Sequence, residues 1–270
     1  MDVSRIVAGL ALSAVIGYLG YRRGSLAPSG VVGAVIVGTA TFGLGGWAWG
    51  ILVIGFFVSS SLLSHWHEGQ KAALAEKFQK GHRRDWAQAL ANGGWGAILA
   101  LAYALRPDPA LYIAFVGTMA TVNADTWATE LGVLSRSLPR LITTGRPVPV
   151  GTSGAVSPMG TGAALMGAAF IGLLAAILAW PASPASAIWL FPWATVSGWA
   201  GSLADSLLGA TVQSIYYCDA CGKETEQRVH RCGHNTRRLR GWRWCDNDMV
   251  NFLSAAAGGL IAAGLGALVI

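Results

Sequence analysis

The chain has 270 residues, a formal net charge of +6 and a mean hydropathy of +0.49, with only 12% charged residues. A soluble domain carries about twice that charged share, so composition excludes an ordinary soluble fold and predicts a membrane protein. The 36 glycines and 12 tryptophans fit a bilayer, where small residues let helices approach and Trp sits at headgroup level.

Crossing a hydrocarbon core of about 30 Å takes about 20 apolar residues. Eight such stretches follow one another, at 3–21, 27–43, 46–65, 86–105, 109–132, 158–180, 187–212 and 247–269. The expectation is an all-α, polytopic bundle of about eight transmembrane helices forming one membrane domain over 1–270. The first stretch ends in Tyr21-Arg22-Arg23, where a cleavage site would need small residues, so a cleaved leader is not expected.

The basic residues set the predicted orientation. Of the 19 Lys and Arg, 17 fall between the first and second, third and fourth, fifth and sixth, and seventh and eighth stretches. The positive-inside rule makes these alternate connections cytoplasmic and puts both termini outside. It also explains the basic charge without a nucleic-acid partner. The protein is thus expected in the cytoplasmic membrane with its functional face inward.

Three inner connections carry the interest. Residues 66–85 mix Ala72, Leu74, Ala75 and Phe78 with Lys and Glu, as an interfacial amphipathic segment would. His65 and His67, on either side of Trp66, read as interfacial residues rather than ligands. Residues 133–157 are rich in glycine and hydroxyls: Thr144, Gly145, Arg146, Gly151, Thr152, Ser153, Gly154 and Ser157. Ser157-Pro158 is a good helix N-cap and first-turn pair. Glycine-rich backbone feeding a helix N-terminus, with Arg146 beside it, can cradle a phosphate. The competing reading is a flexible turn.

Residues 213–246 hold all four cysteines. Cys218 and Cys221 form a CxxC, followed by His230 and Cys232, which together have zinc-ligand spacing. His234 is an alternative to His230, and Cys245 is either a ligand or a bystander. Free thiols or a redox pair are the alternatives to structural zinc.

Ionisable residues inside spans are expensive and therefore functional candidates. The fifth span ends in TVNADTWATELG, which places Asn123, Thr126 and Glu130 on one helical face with Asp125 beside them. The seventh carries Ser202 and Asp205 one turn apart. The eighth opens with Asn247, Asp248 and Asn251. In the predicted topology these segments lie at one depth. Hard oxygens on rigid helices suit Mg²⁺, with Asp125, Glu130 and Asp205 as its carriers and Asn123 and Asp248 as further catalytic candidates. The plainer alternative makes Asn, Thr and Ser interhelical glue and Asp248 a helix cap.

Taken in order, NADTWATELG, RLITTGRPVPVGTSGAVSPMGT, GSLADSLLGA and CDNDMVNF resemble the membrane-protein family known as domain of unknown function 92, which includes phytyl-phosphate kinases. The resemblance covers nearly the whole chain. It implies Mg²⁺-dependent phosphoryl transfer from a nucleoside triphosphate, such as CTP, to a phytyl or other prenyl monophosphate lipid. Nucleotidyl transfer to a lipid phosphate is the rival chemistry. A transporter using the same carboxylates is the rival class; it would need polar residues along a route to both faces, whereas ALYIAFVG and AIWLFPWATV are almost wholly apolar.

Overall fold

The computed structural model describes residues 2–66 and 83–268. The amphipathic segment expected over 66–85, including His67, therefore lies almost entirely outside the described residues. Eight α-helices coincide with the eight apolar stretches: α1 (Val3–Arg22), α2 (Pro28–Ala40), α3 (Trp47–His65), α4 (Trp86–Leu105), α5 (Pro109–Gly132), α6 (Pro158–Ala179), α7 (Pro184–Thr211) and α8 (Asn247–Ala267). A π-helical turn, Thr41–Gly45, prolongs α2.

Side chains define the helix starts as the residue chemistry requires. Asp85 and Gln88 form a reciprocal capping box at α4. Asp108 caps α5 and Ser157 caps α6, each followed by Pro at the first helical position. The last helix departs from expectation, because Asp246, not Asp248, caps α8 by accepting the Met249 N–H at 3.1 Å.

Among the described residues, five helices are long and apolar enough to cross a membrane by length and composition: α1, α2 with its π turn, α3, α6 and α8. The other three carry polar residues within otherwise apolar sequence. Gln88 and Asn92 lie in α4, Asn123, Asp125 and Glu130 in α5, and Ser202 and Asp205 in α7. Those residues matter below.

Helix α5 is the axis of the bundle. Its residues Ile113 to Ala124 are buried without a break, as expected of a helix surrounded on all sides. It packs against α3, α4, α6, α7 and α8, while α2 packs on α4 and α1 lies outside against α2. Small residues make the close approaches possible. A Cβ on Gly117 would strike Ala262 and the Gly258 carbonyl, and one on Gly201 would strike Thr121.

The all-α expectation fails in the two polar connections, which fold as short antiparallel strands. β1 (Arg140–Leu141) pairs with β2 (Ala155–Val156) to make the glycine-rich segment a hairpin. β3 (Ile215–Cys218) is flanked by β4 (Lys223–Thr225) and β5 (Arg237–Arg240) in a three-stranded ribbon. Both emerge at the end of the bundle where α3, α5 and α7 finish and α4, α6 and α8 begin.

Candidate functional site

At that end lies a cavity of about 280 Å³. Helices α5 and α7 supply Asp125, Glu130, Ser202 and Asp205, and α8 supplies Asn247 and Asn251. The glycine hairpin closes it with Gly151, Thr152, Ser153, Gly154 and Ser157. The structure thus gathers most of the residues proposed from sequence, although they span about half the chain.

Among the described residues, the charged ones of this wall are Asp125, Glu130, Asp205, Glu226 and Arg84. Four carboxylates against one guanidinium leave a strong negative excess in a partly enclosed space, which suits a divalent cation. Asp125 accepts from Ser202 and is close enough to Asp205 for their charges to interact. Asp205 also accepts from Ser254 of α8 at 2.9 Å. Glu130 accepts from Ser64 of α3 at 2.6 Å. Asp125, Asp205 and Glu130 are therefore each aimed by a hydroxyl from a neighbouring helix, which fixes the rotamer.

Other sequence candidates stand apart. The Asn123 amide is buried and donates to the Gly167 carbonyl at 2.8 Å, while its oxygen accepts from Ser59 at 3.0 Å. It joins α3, α5 and α6 and does not line the cavity. Asp248 does not line it either. Thr144, Gly145 and Arg146 form the exposed tip of the hairpin, away from the wall. Gly145 is left-handed at φ 66°, the Thr144 hydroxyl accepts from the Arg146 N–H at 3.4 Å, and the Arg146 guanidinium is not part of the cradle. The Ser157 hydroxyl is engaged by the Gly160 N–H at 3.0 Å as the α6 cap. His65 is exposed, with its ring nitrogens on the carbonyls of Ser61 at 2.8 Å and Arg23 at 3.0 Å.

The stretch of the hairpin loop that lines the cavity includes Gly151–Gly154. Gly154 is left-handed at φ 80°, and a Cβ there would collide with Ala210 at the end of α7. Only glycine lets the hairpin lie this close to the helix carrying Asp205. Ser153 donates to the Gly209 carbonyl at 3.2 Å and to the Gln213 side chain. Gln213 in turn donates to Glu226 at 2.8 Å, and Arg240 reaches the carbonyls of Gly209 and Ala210 at 2.9 Å and Ser153 at 3.4 Å. The ribbon thus holds the hairpin by its side chains.

Sequence reasoning missed Arg84, Gln88, Asn92, Gln213 and Glu226. Gln88 and Asn92 were available by the logic applied to α5, being polar groups four apart within an apolar span. Arg84 was counted only as a topological charge.

Within the ribbon, the ligand atoms of Cys218, Cys221, His230 and Cys232 all lie within 4.8 Å of one another. The Cys218 and Cys232 sulfurs are 3.6 Å apart, and His230 Nδ1 is 3.1 Å from the Cys232 sulfur. Three sulfurs and one nitrogen at this spacing match a tetrahedral zinc donor set. His230 is buried, and its Nε2 has no hydrogen-bond partner among the described residues. The Cys232 thiol is pulled down to about 5, chiefly by the His234 backbone N–H and then by His230. Hydrogen bonding to Cys232 raises Cys221 to about 11. His234 lies beside Cys232 but outside the foursome, and buried Cys245 is a bystander whose carbonyl accepts from the Ser214 N–H at 2.7 Å.

Comparison with known proteins agrees with the membrane architecture. The family described as Integral membrane protein DUF92 matches residues 11–259. The chain is 34% identical to Protein PGR of Arabidopsis thaliana, covering 93% of this chain and 92% of that one. It is 32% identical to the uncharacterized membrane protein MJ0933 of Methanocaldococcus jannaschii, over 76% and 82% of the two chains. It is 25% identical to the chloroplastic Protein VTE6 of Arabidopsis thaliana, over 88% and 64%. No solved structure matches.

Proposed function

The chain belongs to the DUF92 family of integral membrane proteins, and from that membership and the chemistry of the cavity we propose that it is a lipid-phosphate kinase. In this reading it transfers the γ-phosphoryl group of a nucleoside triphosphate, CTP among the candidates, to a phytyl or other prenyl monophosphate. The observation that carries the proposal is the four-carboxylate cavity roofed by a glycine hairpin at the end of an apolar bundle. The family resemblance in the motifs around Asp125 and Asp205 supplies the substrate class.

All eight helices cross the bilayer in this proposal, and the cavity faces the cytoplasm, where nucleotides are found. The wealth of Lys and Arg in the connections at this end supports that orientation. The backbone N–H groups of Gly151, Ser153 and Gly154 receive the triphosphate. Asp125 and Asp205, with Glu130, would hold Mg²⁺, which when bound neutralises phosphate charge. An oxygen of the acceptor phosphate forms the new bond to the γ-phosphorus as the bond to the β–γ bridging oxygen breaks. The products are a prenyl diphosphate and a nucleoside diphosphate. Because the acceptor is already an anion, no side chain has to remove a proton, and catalysis consists of placement and charge neutralisation.

Zinc in the Cys218, Cys221, His230 and Cys232 set has a structural task in this proposal. Four protein ligands leave no open position for chemistry, and the ribbon they close is too small to fold alone. Its output is the position of Gln213, Glu226 and Arg240, which grip the hairpin.

The test is turnover in purified Asp125→Ala and Asp205→Ala proteins. Both should lose activity while retaining the wild-type melting temperature. Full activity in both would overturn the assignment. Against transport stands the core of α5, where Ile113 to Val122 bring only apolar, glycine and threonine side chains along the path to the opposite face.

A further inference from the structure

Beside the polar cavity lies a second, apolar one of about 80 Å³ between α1, α2, α3 and α4, lined by side chains including Leu26, Val37, Val53, Phe56 and Met119. The two spaces share three residues: Arg84, Gln88 and Asn92. Arg84 is the basic residue that lines both.

Its setting is unusual for a cation. The backbone is pinned to the α1–α2 turn, with the Arg84 N–H donating to the Ser25 carbonyl at 3.1 Å and its carbonyl accepting from the Ala27 N–H at 2.9 Å. Gly30 of α2 lies directly against that carbonyl, where a Cβ would not fit. The guanidinium sits over the Phe56 ring at 5.4 Å. Its Nη1 is buried and has no hydrogen-bond partner among the described residues, although the Glu130 carboxylate is close enough for its charge to act on the guanidinium. A buried, unpaired guanidinium nitrogen is costly, so a fold that holds one in place has a use for it when an anion arrives. Planar N–H donors suit a phosphate better than any other side chain.

We propose that Arg84 binds the head of a single-chain lipid monophosphate whose chain enters the apolar slot, with Gln88 and Asn92 at the junction. This rests on the kinase reading above and locates its acceptor. The acceptor phosphate then lies on the α4 wall, opposite the cradle formed by Gly151–Gly154, with Asp125 and Asp205 lining the same space. Arg84 supplies the positive charge that the negative cavity lacks on that wall. The slot is small, so it grips only the part of the chain nearest the phosphate.

The test is binding without turnover, using farnesyl monophosphate and purified protein in detergent with no nucleotide. Arg84→Gln should weaken it by about tenfold or more, as loss of a charge-assisted contact does, and Arg84→Lys should recover part of the loss. Ala34→Phe, which fills the slot away from the polar cavity, should weaken farnesyl monophosphate similarly but leave inorganic phosphate unchanged. Arg84→Gln should weaken both. Binding of a non-hydrolysable Mg²⁺-nucleotide should stay within about twofold in all three variants, which also reports that they are folded. Wild-type affinity for farnesyl monophosphate in Arg84→Gln, or in Ala34→Phe, would overturn the assignment. The kinase reading fails separately: the lipid would bind through Arg84 as stated, yet no nucleotide would give a diphosphate product. Turnover with an unchanged KM for the lipid in Arg84→Gln would keep the kinase and remove Arg84.

Discussion

The carboxylate cavity and the cysteine ribbon occupy the same end of the bundle, yet they are built on opposite plans. The cavity takes hard oxygens from Asp125, Glu130 and Asp205, carried on long helices and aimed by Ser202, Ser64 and Ser254. It surrounds open space. The ribbon takes soft sulfurs and one imidazole from the end of one strand and the turns between three- and four-residue strands, and its ligand atoms close on one another within 4.8 Å. A site on rigid helices keeps its shape without a metal and can leave positions for substrate. A site on turns depends on its metal for shape and has none to spare. In the proposed function the first carries the chemistry and the second supports it.

The comparison breaks most severely at the carboxylates. Asp125→Asn and Asp205→Asn keep size and hydrogen bonding but remove charge, and each should lower turnover by at least about a hundredfold with little change in melting temperature. Steady-state kinetics beside a thermal melt checks this. Gly154→Ala attacks the contact between hairpin and α7. The left-handed backbone at φ 80° and the collision with Ala210 should together lower turnover by about tenfold or more, chiefly as a raised KM for nucleotide.

Cys218→Ser sharpens the contrast between support and chemistry. It should remove about one zinc per chain, read by elemental analysis, and lower activity by no more than about tenfold, through loosening of Gln213 and Ser153. Loss as complete as that of Asp125→Asn would put the ribbon's metal in the chemistry. The smallest effect belongs to Arg146→Ala. At the exposed hairpin tip it should change turnover by no more than about twofold. A larger loss would restore Arg146 to the phosphate site.

Much of this was legible in the residues because the bilayer penalises polar groups so heavily. Asp125 and Asp205 stood out within apolar spans, and they do line the cavity. Ser157-Pro158 announced the start of α6. What escaped was information that depends on tertiary placement. Arg146 follows a glycine in a phosphate-type sequence, but hairpin pairing of Arg140 with Val156 carries it outward to the tip. Asn123 shares a helical face with Glu130, yet neighbouring helices consume its amide. The strands of the ribbon are too short to show periodicity, and their pairing is set by the cluster they enclose. Arg84 reads in sequence as one more cytoplasmic charge. Only the packing of the α1–α2 turn and Phe56 around it reveals a cation held at the boundary between polar and apolar space.

The most direct test of the central claim is product analysis with the purified protein, Mg²⁺, a panel of nucleoside triphosphates, and phytyl or geranylgeranyl monophosphate, read by mass spectrometry with Asp125→Ala alongside. The account predicts a prenyl diphosphate and a nucleoside diphosphate from the wild type alone. A nucleotidyl lipid with released pyrophosphate, or no product with any nucleotide, would contradict it.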